Sequence, residues 1–213
     1  MAPPMALAHQ WDYLRRQGRL LVRHVRYADA AWSDSGRRAR AEALATLFRT
    51  VNAWLRESGV EHWLCYGTLL GWWREKRIMV HDRDVDFAAP VGSYAVLKAA
   101  ANRLPAGFVL HDTSHRHDGP KLYISYRGWE ADIYFLVEEA GKLHAILHSP
   151  NPGDTAPFPR TWFYPAHTVD FLGTATQVPA EPASYLEHTY GYTGLDAELD
   201  PVTRYYRPVR RRE

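Results

Sequence analysis

The chain has 213 residues, 46% hydrophobic and 23% charged, which suits one domain with a substantial core, or at most two small ones, and is too apolar for disorder. Its net charge of +2 with histidines neutral gives no field strong enough to argue for nucleic acid. One cysteine excludes an internal disulfide and any cysteine-rich zinc site.

The start, Met-Ala-Pro-Pro, lacks the charged-then-apolar pattern of a leader. Residues 10–27 carry five arginines with apolar residues between them, a pattern that predicts a basic surface helix with a solvated face. Residues 31–36 read as a loop. Leu44, Leu47, Phe48, Val51, Trp54 and Leu55 recur at helical spacing and form one apolar stripe, with Gly59 placed to stop that helix. His62 to Tyr66 reads as a short strand in which Cys65 is a buried small hydrophobe, and Thr68 to Lys76 as a helix.

A strand over Asp84–Ala88, a helix over Ala95–Leu104 stopped by Pro105, and strands over Lys121–Tyr126 and Asp132–Val137 follow, with Gly128 in the turn. Leu143–Leu147 reads as a further strand. The prolines from Pro150 to Pro159 mark a surface loop. Pro182 to Tyr190 reads as a short helix with Gly191 as its stop. Arg204, Arg207 and the Arg210–Arg212 run suggest a frayed tail. No stretch reaches the ~18–20 apolar residues that cross a bilayer, so a cytoplasmic protein with no transmembrane segment is the default expectation. Strands joined first by helices and then by hairpins predict an α+β fold with a small mixed sheet flanked by helices.

The chemistry sits between residues 66 and 132. Successive strand side chains alternate faces, so Asp84 and Asp86 share one side while Val85 and Phe87 take the other. Two carboxylates side by side repel, and Mg²⁺, bound by one or two carboxylates plus substrate phosphates, is the plainest cation to hold them. Asp132 adds a third acid inside an apolar strand, where an unpaired carboxylate would cost several kcal/mol or take up a proton. It serves metal or base; a purely structural pairing with an arginine such as Arg127 is the alternative. Upstream, Gly67-Thr68 opens a helix whose N-terminus suits phosphate. Arg74, Lys76 and Arg77 at that helix's far end could neutralise a diphosphate or simply be solvated; Lys121 is a similar, weaker candidate. His111, His115 and His117 with Asp112 and Asp118 match no zinc pattern and read better as a polar loop near the mouth of the site.

The run Tyr66-Gly-Thr-Leu-Leu-Gly71, Arg74-Glu-Lys-Arg77 and His81-Asp-Arg-Asp-Val-Asp86 resembles the LicD/fukutin-related family. Asp132-Ile-Tyr-Phe resembles that family's second acidic strand, and Phe171 to Thr174, Val178 to Ala180 and Tyr185 to Gly191 its closing motif. Ordered similarity covers about Leu44 to Gly191. His81 stands where the family has Trp, and Arg83 where it has an acid; on strand alternation Arg83 points away from the Asp84/Asp86 face.

The resemblance implies a polymerase-beta-type nucleotidyltransferase fold over 37–195, after an N-terminal extension (1–36) and before a tail (196–213). It implies a metal-dependent phosphotransferase that moves a phosphocholine- or alditol-phosphate-like group from a CDP-activated donor to a hydroxyl of a glycan or small metabolite. Asp84 and Asp86 take the paired-acid positions and Asp132 the third, all three as Mg²⁺ (or Mn²⁺) ligands and catalytic groups. Gly67, Thr68, Arg74, Lys76 and Lys121 are the candidate donor-phosphate contacts. Two other readings stay open: transfer of NMP to a small molecule or protein, and a catalytically silent binding module of the same fold.

Overall fold

The apolar stripe becomes the longest helix. A computed structural model describes residues 34–117 and 119–209, with the isolated positions 14 and 18. The basic helix expected over 10–27 lies outside the described residues but for Leu14 and Gly18, as do Asp118 and the Arg210–Arg212 run. Helix α1 (Asp34–Glu57) begins inside the segment expected to be a loop up to Gly36, in keeping with the preference of Asp and Ser for helix starts. Its Leu44, Leu47, Phe48, Val51 and Leu55 are buried, and Phe48 stacks on Phe87 of the sheet with ring centroids 5.9 Å apart. Gly59, at φ +67, takes the left-handed conformation that ends the helix.

Strand β1 (Trp63–Leu64) leads into α2 (Tyr66–Glu75) and then β2 (Asp84–Pro90). Helix α3 (Ser93–Ala99) ends earlier than expected, the turn before Pro105 closing as a short 3-10 helix over Ala101–Arg103. Strands β3 (Phe108–Asp112), β4 (Lys121–Tyr126), β5 (Trp129–Glu139), β6 (Lys142–Ala145) and β7 (Phe158–Pro159) complete a seven-stranded sheet in the order β1-β2-β5-β4-β3, with β6 and β7 extending from β5. Within it β2 and β5 run parallel, while every other pairing is antiparallel. This is the α+β architecture with a small mixed sheet that the pattern predicted. Among the described residues, no helix is long and apolar enough to cross a membrane.

A separate hairpin, β8 (His167–Phe171) and β9 (Thr174–Val178), turns at Leu172 and Gly173, both at positive φ, as tight two-residue hairpins require. Two side chains bond its backbone, and a third holds one of them in place. Arg49 Nε donates to the Leu172 carbonyl at 3.0 Å, Asn52 Nδ2 donates to the Ala175 carbonyl at 3.0 Å, and buried His62 bridges Asn52 Oδ1 and the Val60 carbonyl. Helix α4 (Pro182–Tyr190) and a final pair, β10 (Ala197–Leu199) with β11 (Tyr206–Pro208), follow. The C-terminal segment is therefore not frayed up to residue 208: Arg207 reaches both Glu198 and Asp200, at 3.0 and 3.4 Å.

Gly71 fixes how the loop after α2 folds back. A Cβ there would stand 2.5 Å from the Arg77 carbonyl oxygen, whereas one on Gly92 would meet nothing within 4 Å. Gly71→Ala is expected to lower stability by about 1–3 kcal/mol, the cost of overpacking, with Gly92→Ala near neutral. Paired urea melts measure this, and equal midpoints for both variants would contradict the packing argument.

Candidate active site

Strand alternation and one parallel pairing bring the acids together. In β2, Val85 and Phe87 face the buried side under α1, leaving Asp84 and Asp86 on the other face. Because β2 and β5 pair in parallel with Asp86 opposite Asp132, the third acid arrives on the same face. One ligating oxygen from each of Asp84, Asp86 and Asp132 lies within 4.8 Å of the others, and among the described residues no other His/Cys/Asp/Glu trio converges this way. Asp84 is exposed and Asp132 half-buried, while Asp86 retains only 6% of its surface.

The Gly-Thr turn closes on Asp86 directly. The Asp86 backbone N–H donates to Thr68 Oγ1 at 2.8 Å, and the Thr68 N–H points at Asp86 Oδ2 from 3.4 Å. Gly67 leaves open the space above that carboxylate: a Cβ there would sit 3.4 Å from Asp86 Oδ2. Cys65 at the N-cap makes no side-chain cap bond, so apart from the long Thr68 contact to Asp86 the first turn of α2 faces the acids as a positive end.

Burial pushes the Asp86 carboxyl well above the usual carboxylate range, and the charges of Asp84 and Asp132 push it further, against the pull of Lys121. That lysine is itself buried. Its Nζ stands 2.9 Å from Asp132 Oδ1 and 3.2 Å from the centre of the Tyr134 ring, out of hydrogen-bond alignment with any partner. The structural partner of Asp132 is thus Lys121; Arg127 lies in the β4–β5 turn over Tyr126. A carboxylate has about four acceptor sites on two oxygens, so this pairing leaves Asp132 able to bind elsewhere. Burial also holds the phenols of Tyr134 and Tyr190 neutral, reinforced by Asp132 next to the first and Asp86 next to the second.

Asp82 belongs to the same cluster and was not singled out from the sequence, although an acid two positions before Asp84 was visible. Burial, then the Asp84 charge, raises its pKa to about 7 against a hydrogen bond from the Met79 N–H. With Gly67 it borders a cleft of ≈ 380 Å³ whose far wall holds Tyr190, Tyr192, Leu195 and Tyr206. Arg74 lines this cleft, and its guanidinium donates to the carbonyls of Thr193 and Gly194 at 2.7 and 2.6 Å.

The structure does not bring every candidate together. Lys76 caps the opposite end of α2, about 13 Å along the axis from the Gly-Thr turn at 1.5 Å per residue, with its Nζ over the Trp72 ring at 3.7 Å. Arg77 pairs with Glu75. Arg83 is exposed and beside Arg40, in keeping with the outward direction expected of it. The histidine-rich loop is partly strand: His111 and Asp112 belong to β3. Burial alone would raise the Asp112 pKa, but hydrogen bonds from Lys98, Ser114 and Tyr94 outweigh it and hold it below the usual carboxylate range.

A mixed sheet that presents a carboxylate trio to a Gly-Thr helix corner defines a nucleotidyltransferase-type domain. The chain belongs to the LicD/FKTN/FKRP family, whose nucleotidyltransferase-domain model matches residues 59–181. Among curated proteins it is 31% identical over 150 residues to the mouse ribitol-5-phosphate transferase FKTN, covering 65% of this chain and 30% of that protein. The human FKTN protein is 29% identical over 168 residues, covering 74% and 33%. The chain therefore spans about a third of the length of these relatives. Among solved structures it resembles the antibiotic-resistance factor ANT(2'')-Ia, with a TM-score of 0.44, 16% identity and coverage of 65% and 66%. It also resembles the lincosamide adenylyltransferase LnuA, with a TM-score of 0.43, 12% identity and coverage of 74% and 90%.

A carboxyl whose pKa is raised on folding favours the protonated folded state, so its contribution to stability declines as pH rises from the unfolded value near 4 towards 7. In chelator, Asp82→Asn is expected to remove part of this decline. The difference in Tm between wild type and variant, followed from pH 4 to 8, measures it, and a pH-independent difference would show that Asp82 does not titrate in that window. Lys121→Met removes the cation among the acids and is expected to lower Tm in chelator, with Mg²⁺ restoring much of the loss.

Proposed function

We propose that the chain is a metal-dependent phosphotransferase that moves a phospho-substituent from a CDP-activated donor to a hydroxyl of a glycan or small metabolite. The observation that carries this reading is the convergence of Asp84, Asp86 and Asp132 beside the N-terminus of α2. The activity for which the FKTN relatives are named, ribitol-5-phosphate transfer, supports an alditol phosphate as the transferred group.

The donor set fits Mg²⁺ or Mn²⁺: all ligands are hard oxygens, and the charge crowding that raises Asp86 is what a divalent ion relieves. Asp84, Asp86 and Asp132 would hold it, and when bound it supplies positive charge against the diphosphate and the leaving nucleotide. The first turn of α2 at Gly67 and Thr68 receives a donor phosphate, helped by the helix dipole, with the Thr68 N–H shared between that phosphate and Asp86. Arg74 fixes the wall of the adjoining cleft through the Thr193 and Gly194 carbonyls, and the tyrosines there offer flat faces for a base or a head group.

Lys121 holds the Asp132 carboxylate in place. Asp132 then takes the proton from the acceptor hydroxyl as its oxygen bonds to the phosphorus distal to the nucleoside. The bond from that phosphorus to the bridging oxygen breaks, and CMP leaves. Attack at the proximal phosphorus would transfer the nucleotide instead.

With CDP-ribitol or CDP-choline, Mg²⁺ and a panel of polyol acceptors, CMP release is expected and chelator should abolish it. Asp84→Asn and Asp86→Asn are each expected to reduce turnover by about 10²–10³-fold or more, the scale of losing a main electrostatic group. Their Tm in chelator should match or exceed wild type, since repulsion is relieved. Nucleotide found on the acceptor would replace this reading with nucleotidyl transfer, and donor binding with no product would leave a binding module.

A further inference from the structure

Next to the active-site cleft, with which it shares Met79, α1, the loop after α2 and the β8–β9 turn enclose a second cleft of ≈ 590 Å³. Its rim carries Arg37, Arg40, Arg49 and Arg77, and among the described residues Glu42 is the single acid lining it. Its floor is apolar, built from Leu44, Ile78, Met79 and Leu172, with Val80 on the lip at 58% exposure. Nothing in the transfer reaction uses this cleft, and Arg77, a candidate for the donor diphosphate on sequence grounds, opens into it instead.

We propose that this cleft binds the phosphate of an anionic amphiphile, a phosphate ester carried on an apolar chain. The guanidiniums are already aimed. Arg40 donates to the Val80 carbonyl, Arg49 Nε to the Leu172 carbonyl at 3.0 Å, and Arg77 Nε to Glu75 at 2.6 Å. Each bond uses one or two of five donors on a planar group, so the side chains are oriented while donors remain for a bidentate phosphate contact. The positive charges also crowd one another: burial, then Arg83 and Arg37, push the Arg40 pKa down against the opposing charge of Asp82.

The apolar floor distinguishes an amphiphile from bare phosphate, because burying a chain on it adds about 25 cal/mol per Å² of apolar area. The concavity favours a small molecule over a folded partner, since small-molecule pockets span roughly 300–1,000 Å³ while protein partners take broad patches.

The test titrates the full chain with dihexanoyl phosphatidic acid, dihexanoyl phosphatidylcholine and inorganic phosphate by calorimetry. In parallel, it is floated with phosphatidylcholine vesicles with and without phosphatidic acid. Phosphatidic acid is expected to bind at least about tenfold more tightly than either soluble control, a gap of about 1.4 kcal/mol. Arg49→Glu should weaken it about tenfold or more. Val80→Asp, at an exposed position, should do the same and keeps the proposal testable if the arginine variant fails to fold. Binding confined to the soluble lipid assigns a free amphiphile, and flotation on acidic vesicles assigns a membrane surface; both support the proposal. Inorganic phosphate binding as tightly as the lipid, or lipid binding indifferent to both substitutions, overturns it.

Discussion

The whole arrangement depends on two carboxylates being forced against a third, Asp86, that water scarcely reaches. Asp86 is nearly buried and faces Asp132 across the one parallel pair in the sheet. Like charges at that separation in a low-dielectric setting repel by several kcal/mol unless something intervenes. The chain supplies one internal cation, Lys121, and one backbone brace, the Thr68 hydroxyl on the Asp86 N–H. Neither cancels a cluster to which Asp84 and Asp82 also contribute, so the site retains an excess of negative charge directed at the helix corner.

The remainder of the fold can be understood as holding that tension in register. A one-residue slip of β2 against β5 would move Asp86 to the apolar face and Phe87 to the polar one. The stacking of Phe48 on Phe87 under α1 makes such a slip costly. Gly71 plays a similar part, because the loop between α2 and β2 can fold back only if position 71 has no side chain. Apolar packing on one face of the sheet thereby sets the geometry of the charges on the other.

Much of this was legible in the sequence because it rests on local periodicity. The α1 stripe, the Lys121–Tyr126 strand, the Pro182–Tyr190 helix and the side shared by Asp84 and Asp86 follow from spacings of 3.6 and 2. What was not legible is non-local or weakly patterned. Strand β3 is a half-buried edge whose Phe-Val-Leu-His-Asp sequence has no clean alternation, and the turn of β8–β9 rests on a positive φ at Leu172 as well as Gly173. Lys121 was read as a possible phosphate contact, yet its closeness to Asp132 comes from strand register, which no linear pattern encodes. Lys76 and Arg77 were judged by their nearness in sequence to the acids, whereas a helix of ten residues carries them to its other end.

The bonds from Arg74 to the Thr193 and Gly194 carbonyls have an evolutionary corollary. They fasten the aromatic wall of the cleft, contributed by residues 190–206, to a helix inside the family-matched segment, while that wall itself lies beyond it. On the function proposed above, chemistry and selectivity would be encoded in separate stretches of the gene. Drift in the downstream stretch could retune which donor is accepted while the carboxylates remain untouched, giving such a lineage a route to new substrates without rebuilding its catalytic core.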